Sequence, residues 1–209
     1  SVKPEHRNRC LDIGCAVGRS SFELAKHFQH VDALDYSSGF IEAAKRLQQS
    51  GIIQYGIPTE GRLSNDCQIS LERLLDSDIA NRLTFQTGDA CNLADEMHNY
   101  DLVFAGNLID RLYQPQLFLN SITQRIRIGG WLVITSPYTW LEDYTPPSYW
   151  LGGYIDNSGI PIDTFTGLSR ALHPHFTLGS RENIPFVIRE TGRKHQHTIA
   201  ELTAWRRVE

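Results

Sequence analysis

Paired cysteines, long apolar runs and a surplus of positive charge are all missing from this chain. Its four cysteines, Cys10, Cys15, Cys67 and Cys91, form no C-x-x-C pair. They read as reduced core or loop thiols, not as disulfide staples or zinc ligands. No apolar run approaches the ~20 residues that span a bilayer. No signal-peptide pattern is present either, so the expectation is a soluble, cytoplasmic protein without a membrane partner. The formal net charge is −4 over 209 residues, with no lysine-rich stripe, which argues against a nucleic-acid partner. Internal repeats and low-complexity linkers are absent too. A chain of this length predicts one domain over residues 1–209, with a full sheet covered by helices on both faces.

What is present starts at residues 9–22, RCLDIGCAVGRSSF. Residues 10–13 are a short apolar run with one acid, fit for a buried strand. Gly14, Ala16 and Gly18 follow at once, and residues 20–28 resume with apolar residues at helical spacing. A strand, a glycine-rich turn and a helix start can together aim backbone N–H groups at a ligand. The order fits a dinucleotide fingerprint poorly, because Arg19 stands where G-x-G-x-x-G would place its last glycine.

Strands and helices then alternate. Residues 30–35 (HVDALD) predict a second strand ending in Asp35, about 20 residues beyond Asp12, the spacing of a ribose-binding carboxylate. One ionised carboxylate can pair with two vicinal hydroxyls; a solvated strand-end acid is the alternative. Ser37 and Ser38 offer caps for a helix over 39–49. Residues 51–66 read as an inserted ribbon on the sheet's outer edge. A helix follows over 69–79, with apolar positions 69, 71, 74, 75 and 79.

Residues 83–86 predict a third strand delivering Gly88-Asp89-Ala90, where Asp89 also suits a simple turn. Residues 100–105 predict a fourth strand with Asn107 and Leu108 at its carboxyl end, the ligand-binding end of a parallel sheet. A helix over 115–126 is broken by Gly129-Gly130 before a fifth strand at 131–135. A helix at 164–172 precedes a closing antiparallel pair, 176–184 and 197–206, joined by 185–194. Five strands alternating with helices make an α/β fold with an open, mostly parallel sheet.

Residues 138–154, YTWLEDYTPPSYWLGGY, fit neither a helix nor a strand and begin a loop reaching about 162. Tyr138, Trp140, Tyr144, Tyr149, Trp150 and Tyr154 could wall a flat acceptor beside a cation, or anchor the loop. Asp110, Arg111 and Asp143 are charged groups at the same end of the sheet. They supply the carboxylate and guanidinium that a zwitterionic amino acid needs, or else are solvated loop charges. His173, His175, His195 and His197 sit in H-P-H and H-Q-H without a cysteine or carboxylate at ligand spacing. They read as turn or strand-surface histidines, and no metal is expected. The stretch A-G-N-L at 105–108 is not the N-P-P-Y that clasps a flipped base.

Asp12-x-Gly14-x-Ala16-x-Gly18 resembles motif I of the class I S-adenosylmethionine (SAM) dependent methyltransferases, and G-G-x-L-x-I at 129–134 resembles the same family. The resemblance implies a Rossmann-like, seven-stranded sheet with a terminal antiparallel hairpin. It implies SAM as cofactor and S-adenosyl-L-homocysteine as product. Asp12, Gly14, Cys15, Ala16 and Gly18 would bend around the methionine end, Asp35 and Tyr36 would take the ribose, and Asp89 and Ala90 the adenine. Asn107 and Leu108 would complete that site.

T-P-P-S-Y-W-L-G-G-Y at 145–154, the ribbon at 52–63 and T-I-A-E-L-T-A-W-R-R at 198–207 resemble the methyltransferase domains of ovothiol-biosynthesis enzymes. This resemblance runs over essentially the whole chain. It implies N-methylation of the imidazole of 5-thiohistidine, with Asn107 and Tyr144 orienting the ring and Asp143 taking the ammonium. It also implies a covalently linked N-terminal iron-dependent sulfoxide synthase domain, and the short polar lead-in at 1–8 is expected to mark a domain cut from such a polypeptide. A small-molecule N- or O-methyltransferase with another acceptor, and a SAM-binding module without catalysis, are the alternatives.

Overall fold

The first apolar run forms strand β1 (Arg9–Ile13), buried from its second residue onward, as a parallel strand between two helical layers must be. In the computed structural model the described residues are 2, 4–73 and 77–209. After β1 come α1 (Arg19–Ala25), β2 (His30–Asp35), α2 (Ser38–Ser50), β3 (Ile52–Glu60), β4 (Leu63–Ser70), α3 (Ser77–Ala80) and β5 (Leu83–Thr87). Then follow β6 (Tyr100–Gly106), α4 (Pro115–Arg125), β7 (Ile126–Ser136), β8 (Tyr154–Ile155), β9 (Pro161–Ile162), α5 (Thr164–Leu172), β10 (Phe176–Arg189) and β11 (His195–Arg207).

Seven strands make the main sheet in the order β10-β11-β7-β6-β1-β2-β5. The five from β7 to β5 are parallel, and β11 and β10 close the edge antiparallel. Phe22, Ile41 and Phe85 pack on one face of the sheet, and Tyr100, Phe118, Leu168 and Trp205 on the other. Each such side chain removed from water stabilises the fold by roughly 1.5–3 kcal/mol. Helix α2 shows how local chemistry sets the element ends. The Ser37 hydroxyl accepts the Phe40 N–H at 3.3 Å, and Gly51 ends the helix in the left-handed region. Among the described residues no helix is long and apolar enough to cross a membrane.

From β1 the chain crosses to β2 on one side, while from β6 it crosses to β7 on the other. That reversal opens a crevice at the carboxyl ends of β1 and β6, the place where open α/β sheets bind ligands.

Four elements depart from the sequence reading. The ribbon is a separate two-stranded sheet, not bonded to the main sheet's edge, and it runs on through Ser70. Ile69, expected on a helix, therefore pairs with Ile53 across the ribbon. A 3-10 turn at Leu71–Arg73 and the short α3 replace the rest of that helix; Leu74 and Leu75 lie outside the described residues. Strand β7 begins at Ile126 and runs through Gly129-Gly130, absorbing them in a register shift against β6. The closing hairpin is also longer than expected, because Pro185 continues β10 instead of ending it. β10 is the sheet's edge, where a proline's missing N–H costs the ladder nothing on its open side.

Candidate functional site

The glycine loop after β1 is stitched to the end of β2. The N–H groups of Gly14 and Cys15 both donate to the Leu34 carbonyl, at 2.8 and 3.1 Å. Gly14 has φ +74°, and a Cβ there would stand 2.9 Å from Leu108 Cδ1. Gly18 has φ +87°, and a Cβ there would stand 2.7 Å from Phe85 Cζ. Both positions exclude a side chain by conformation and by contact. Ala16 adopts φ +48° as well, and its N–H donates to Asp35 Oδ2 at 2.8 Å.

Asp12 works from beneath this loop. It is only 1% exposed, and its Oδ2 accepts the hydroxyls of Ser20 and Ser21 at 2.7 and 2.6 Å. Its Oδ1 has no partner among the described residues. Burial raises its pKa to about 6, against the two serine hydrogen bonds that lower it, with Asp35 adding repulsion. Asp12 thus anchors the corner between loop and α1 and does not line the cleft. Cys15 is buried behind the same loop, and burial lifts its thiol to about 12.

A cavity of about 610 Å³ lies over the carboxyl ends of β1, β2, β5 and β6, within the usual ~300–1,000 Å³ of ligand sites. Gly14 and Leu108 line it, together with Asp35, Tyr36 and Phe40 and with Asp89, Ala90 and Tyr113. Besides Ala16, Asp35 accepts the Ser37 N–H on Oδ1 at 2.9 Å. Each carboxylate oxygen therefore holds one backbone donor and keeps a second lone pair. Asp89 is arranged alike, accepting the Cys91 N–H on Oδ1 at 2.8 Å and the Tyr113 hydroxyl on Oδ2 at 3.0 Å. That hydrogen bond pushes the Tyr113 phenol up to about 12. Asn107 lines the cavity at φ +52°, its N–H donating to the Thr135 carbonyl at 2.7 Å. A non-glycine residue held left-handed at a strand end is the kind of strain that gathers at working sites.

Arg111, Asp143 and Tyr144 line the same cavity, with the guanidinium carbon 5.2 Å from the centre of the Tyr144 ring. Asp110 does not join them. It is 0% exposed, and its carboxylate accepts from Ser136 Oγ, from the Thr139 N–H and hydroxyl, and from Arg111 Nη1. Among the three charges singled out, a ligand can therefore meet Arg111 and Asp143 only.

Three of the six loop aromatics expected to wall an acceptor are anchors. The Tyr138 hydroxyl donates to Glu201 at 2.9 Å, the Trp140 indole to Thr164 Oγ1 at 2.9 Å, and the Trp150 indole to the Thr145 carbonyl at 2.8 Å. The two tryptophans stack at 6.1 Å. Tyr149, Trp150 and Tyr154 line a different cavity, against α4 and α5. A half-buried Tyr or Trp takes the nearest partner for its polar tip, and here those partners lie away from the cleft. His173, His175, His195 and His197 are exposed. No group of three or more metal-ligating side chains gathers among the described residues.

The structure thus gathers Gly14, Asp35, Tyr36, Asp89, Ala90, Asn107, Leu108, Asp143 and Tyr144 around one cavity, and leaves Asp12 on β1 and Cys15, Ala16 and Gly18 in the loop behind it. Sequence reasoning missed Phe40 and Tyr113. Tyr113 carries no local signal, since its role appears only through its hydrogen bond to Asp89, 24 positions earlier in the chain.

Residues 11–134 match a family described as a methyltransferase domain. A demethylmenaquinone methyltransferase from Clavibacter sepedonicus is 26% identical over 147 residues, or 70% of this chain, and the chain spans about half of that relative's length, 46%. A SAM-dependent methyltransferase from Methanosarcina mazei shares the fold with a TM-score of 0.60 at 15% identity, covering 99% of this chain and 94% of that one. The N-methyltransferase NodS from Bradyrhizobium japonicum, solved with S-adenosyl-L-homocysteine, gives 0.57 at 15% identity, covering 97% and 79%. At such identities the structural likeness is one of fold.

Proposed function

The chain belongs to the methyltransferase-domain family, and from that premise we propose that it methylates an imidazole nitrogen of 5-thiohistidine, the last step of ovothiol A biosynthesis, with SAM as donor. Bound in the cleft, SAM supplies a methyl group activated on a sulfonium sulfur, and S-adenosyl-L-homocysteine is the product. The remaining lone pairs of Asp35 take the ribose hydroxyls beside Tyr36. Those of Asp89 take the adenine amino group beside Ala90, while residues 14–18 bend around the aminoacyl end.

One observation supports an amino-acid acceptor above others: the cavity that holds Asp35 and Asp89 also carries a guanidinium, Arg111, and an exposed carboxylate, Asp143. Arg111 Nη1 is spent on Asp110 and Thr139, and the N–H groups left on its Nε and Nη2 suit the carboxylate of a zwitterion, as Asp143 suits the ammonium. An imidazole nitrogen with a free lone pair needs no covalent help and no metal. Asn107 and Tyr144 orient the ring by hydrogen bonding, and no strong base is assigned, since an acidic thiol can carry the proton balance. The protein's contribution is alignment, worth on the order of 7–11 kcal/mol when donor and acceptor are held in line. The resemblance to ovothiol enzymes also supports a sulfoxide synthase unit covalently ahead of this chain, in the cytoplasm.

Labelled SAM offered with 5-thiohistidine, histidine, demethylmenaquinone and phenols tests the reading. Label on the thiohistidine ring, at the highest kcat/KM of the set, is expected. Faster transfer to another acceptor would make the chain a different small-molecule methyltransferase. Cofactor binding by calorimetry with no transfer to any acceptor would make it a binding module.

A further inference from the structure

The closing hairpin outgrows the sheet it completes. β11 pairs with β7 only through residues 201–206, whereas β10 and β11 stay paired from Phe176↔Arg207 out to Arg189↔His195. The outer half is a two-stranded arm beyond the carboxyl edge of the sheet. Its base is fixed: Arg181 pairs with Glu201 at 2.8 Å and lies 3.7 Å from the centre of the Phe165 ring.

Antiparallel register sets Phe186 opposite Thr198 and Ile188 opposite Gln196, which puts these four side chains on one face of the arm. That face bounds a second cavity of about 300 Å³, together with Asn107 and Arg111. Asn107 and Arg111 line the larger cavity too, so the two chambers meet at those residues. The opposite face carries the pair Val187↔His197, with Val187 59% exposed.

We propose that the Phe186–Ile188–Gln196–Thr198 face of the arm is the wall that selects the methyl acceptor. The inference rests on the methyl-transfer reading above and adds where the acceptor sits. Phe186 and Ile188 cover a small flat ring, and Gln196 and Thr198 offer an amide and a hydroxyl to its polar edge. Arg111, held by Asp110 Oδ2 and Thr139 Oγ1 at the cavity wall, keeps N–H groups on Nε and Nη2 for a carboxylate. Donor and acceptor then meet where the two chambers join at Asn107 and Arg111, with Asp143 and Tyr144 reaching the acceptor from the larger cavity. The H-Q-H motif at 195–197 acquires a meaning in this arrangement: its glutamine faces the cavity and its histidines face away.

The whole chain saturated with S-adenosyl-L-homocysteine and titrated with imidazole, histidine and 5-thiohistidine provides the test by NMR. The Ile188 δ1-methyl and Gln196 side-chain amide signals are expected to shift, while the Val187 methyls stay still. Ile188→Ala and Gln196→Ala should each lower acceptor kcat/KM about tenfold or more and leave the affinity for S-adenosyl-L-homocysteine unchanged. Val187→Ala and His197→Ala should change neither. Silent arm signals, or two faces that respond alike, would overturn the proposal. Should the arm face respond while thiohistidine goes unmethylated, the thiohistidine reading fails and the acceptor wall survives. Should thiohistidine be methylated with the arm silent, the wall fails and the reading survives.

Discussion

The Ala16 amide nitrogen and the Asp35 Oδ2 lie 2.8 Å apart, so the acid that ends β2 also fixes the crest of the glycine loop. Its other oxygen holds the Ser37 N–H at 2.9 Å, at the start of α2. One side chain thereby sets the shape of three segments that border the cleft, and still has lone pairs to offer.

Asp35→Ala should weaken SAM binding by roughly 1.5–3 kcal/mol, the scale of a hydrogen bond to a charged group. Asp35→Asn keeps one acceptor and should lose less. Calorimetry with each variant checks this, and unchanged affinity would take Asp35 out of the cofactor site.

Asp12 predicts a pH dependence of unusual sign for an acid. Burial raises its folded pKa to about 6 from an ordinary 3.8, so between those values the folded state holds the proton more tightly than the unfolded chain. Its contribution to stability is therefore present below about pH 4, declines as pH rises to about 6 and is flat above. The loss is on the order of 1–3 kcal/mol. Asp12→Asn removes this limb, so urea unfolding from pH 4.5 to 7.5 should show the variant gaining on the wild type as pH rises. A constant difference would mean that the folded and unfolded states release this proton alike.

Gly18→Ala combines a left-handed backbone with a Cβ placed 2.7 Å from the Phe85 ring. The backbone costs about 1–2 kcal/mol and the overpacking about 1–3 kcal/mol. A drop in the urea midpoint with an unchanged m-value is expected, and a neutral result would show that Phe85 moves freely.

Asp110→Ala should destabilise the fold by about 1–3 kcal/mol, the scale of donors left unsatisfied, because Ser136 and Thr139 lose their acceptor and Arg111 loses its charge partner. Thermal unfolding reads this directly. A loss below about 1 kcal/mol, the scale of a surface pair, would contradict the buried geometry.

Tyr144→Phe and Asp143→Asn alter exposed side chains, so the melting temperature should hold. Turnover should fall about tenfold, one hydrogen bond's worth near 1.4 kcal/mol, with cofactor affinity spared. Equal losses in turnover and cofactor affinity would make these residues part of the cleft's frame, with no part in acceptor recognition.

The parallel core was legible because its strands are near-continuous apolar runs that end in glycines or acids, as at Asp12–Gly14 and Asp35. Elements that depend on a partner strand were not. Ile69 has helical spacing to its neighbours, yet cross-strand pairing with Ile53 wins. Pro185 looks like a terminator until the strand that carries it proves to be an edge. The aromatic loop was visible as composition alone, and its tryptophans found partners in Thr145 and Thr164 instead of a ligand.

By itself, the sequence determined where the glycine-rich turn falls and where carboxylates stand at strand ends, since both follow from residues adjacent in the chain. Only the tertiary structure decided which carboxylates are free. Asp12 is buried behind the loop and Asp110 is consumed by buried donors, while Asp35 and Asp89 line the cleft with lone pairs to spare. It also decided that a hairpin more than 70 residues beyond Asn107 comes to lie over it. The availability of a polar group, and the landing point of a strand, are set by partners distant in the chain, and no local pattern encodes them.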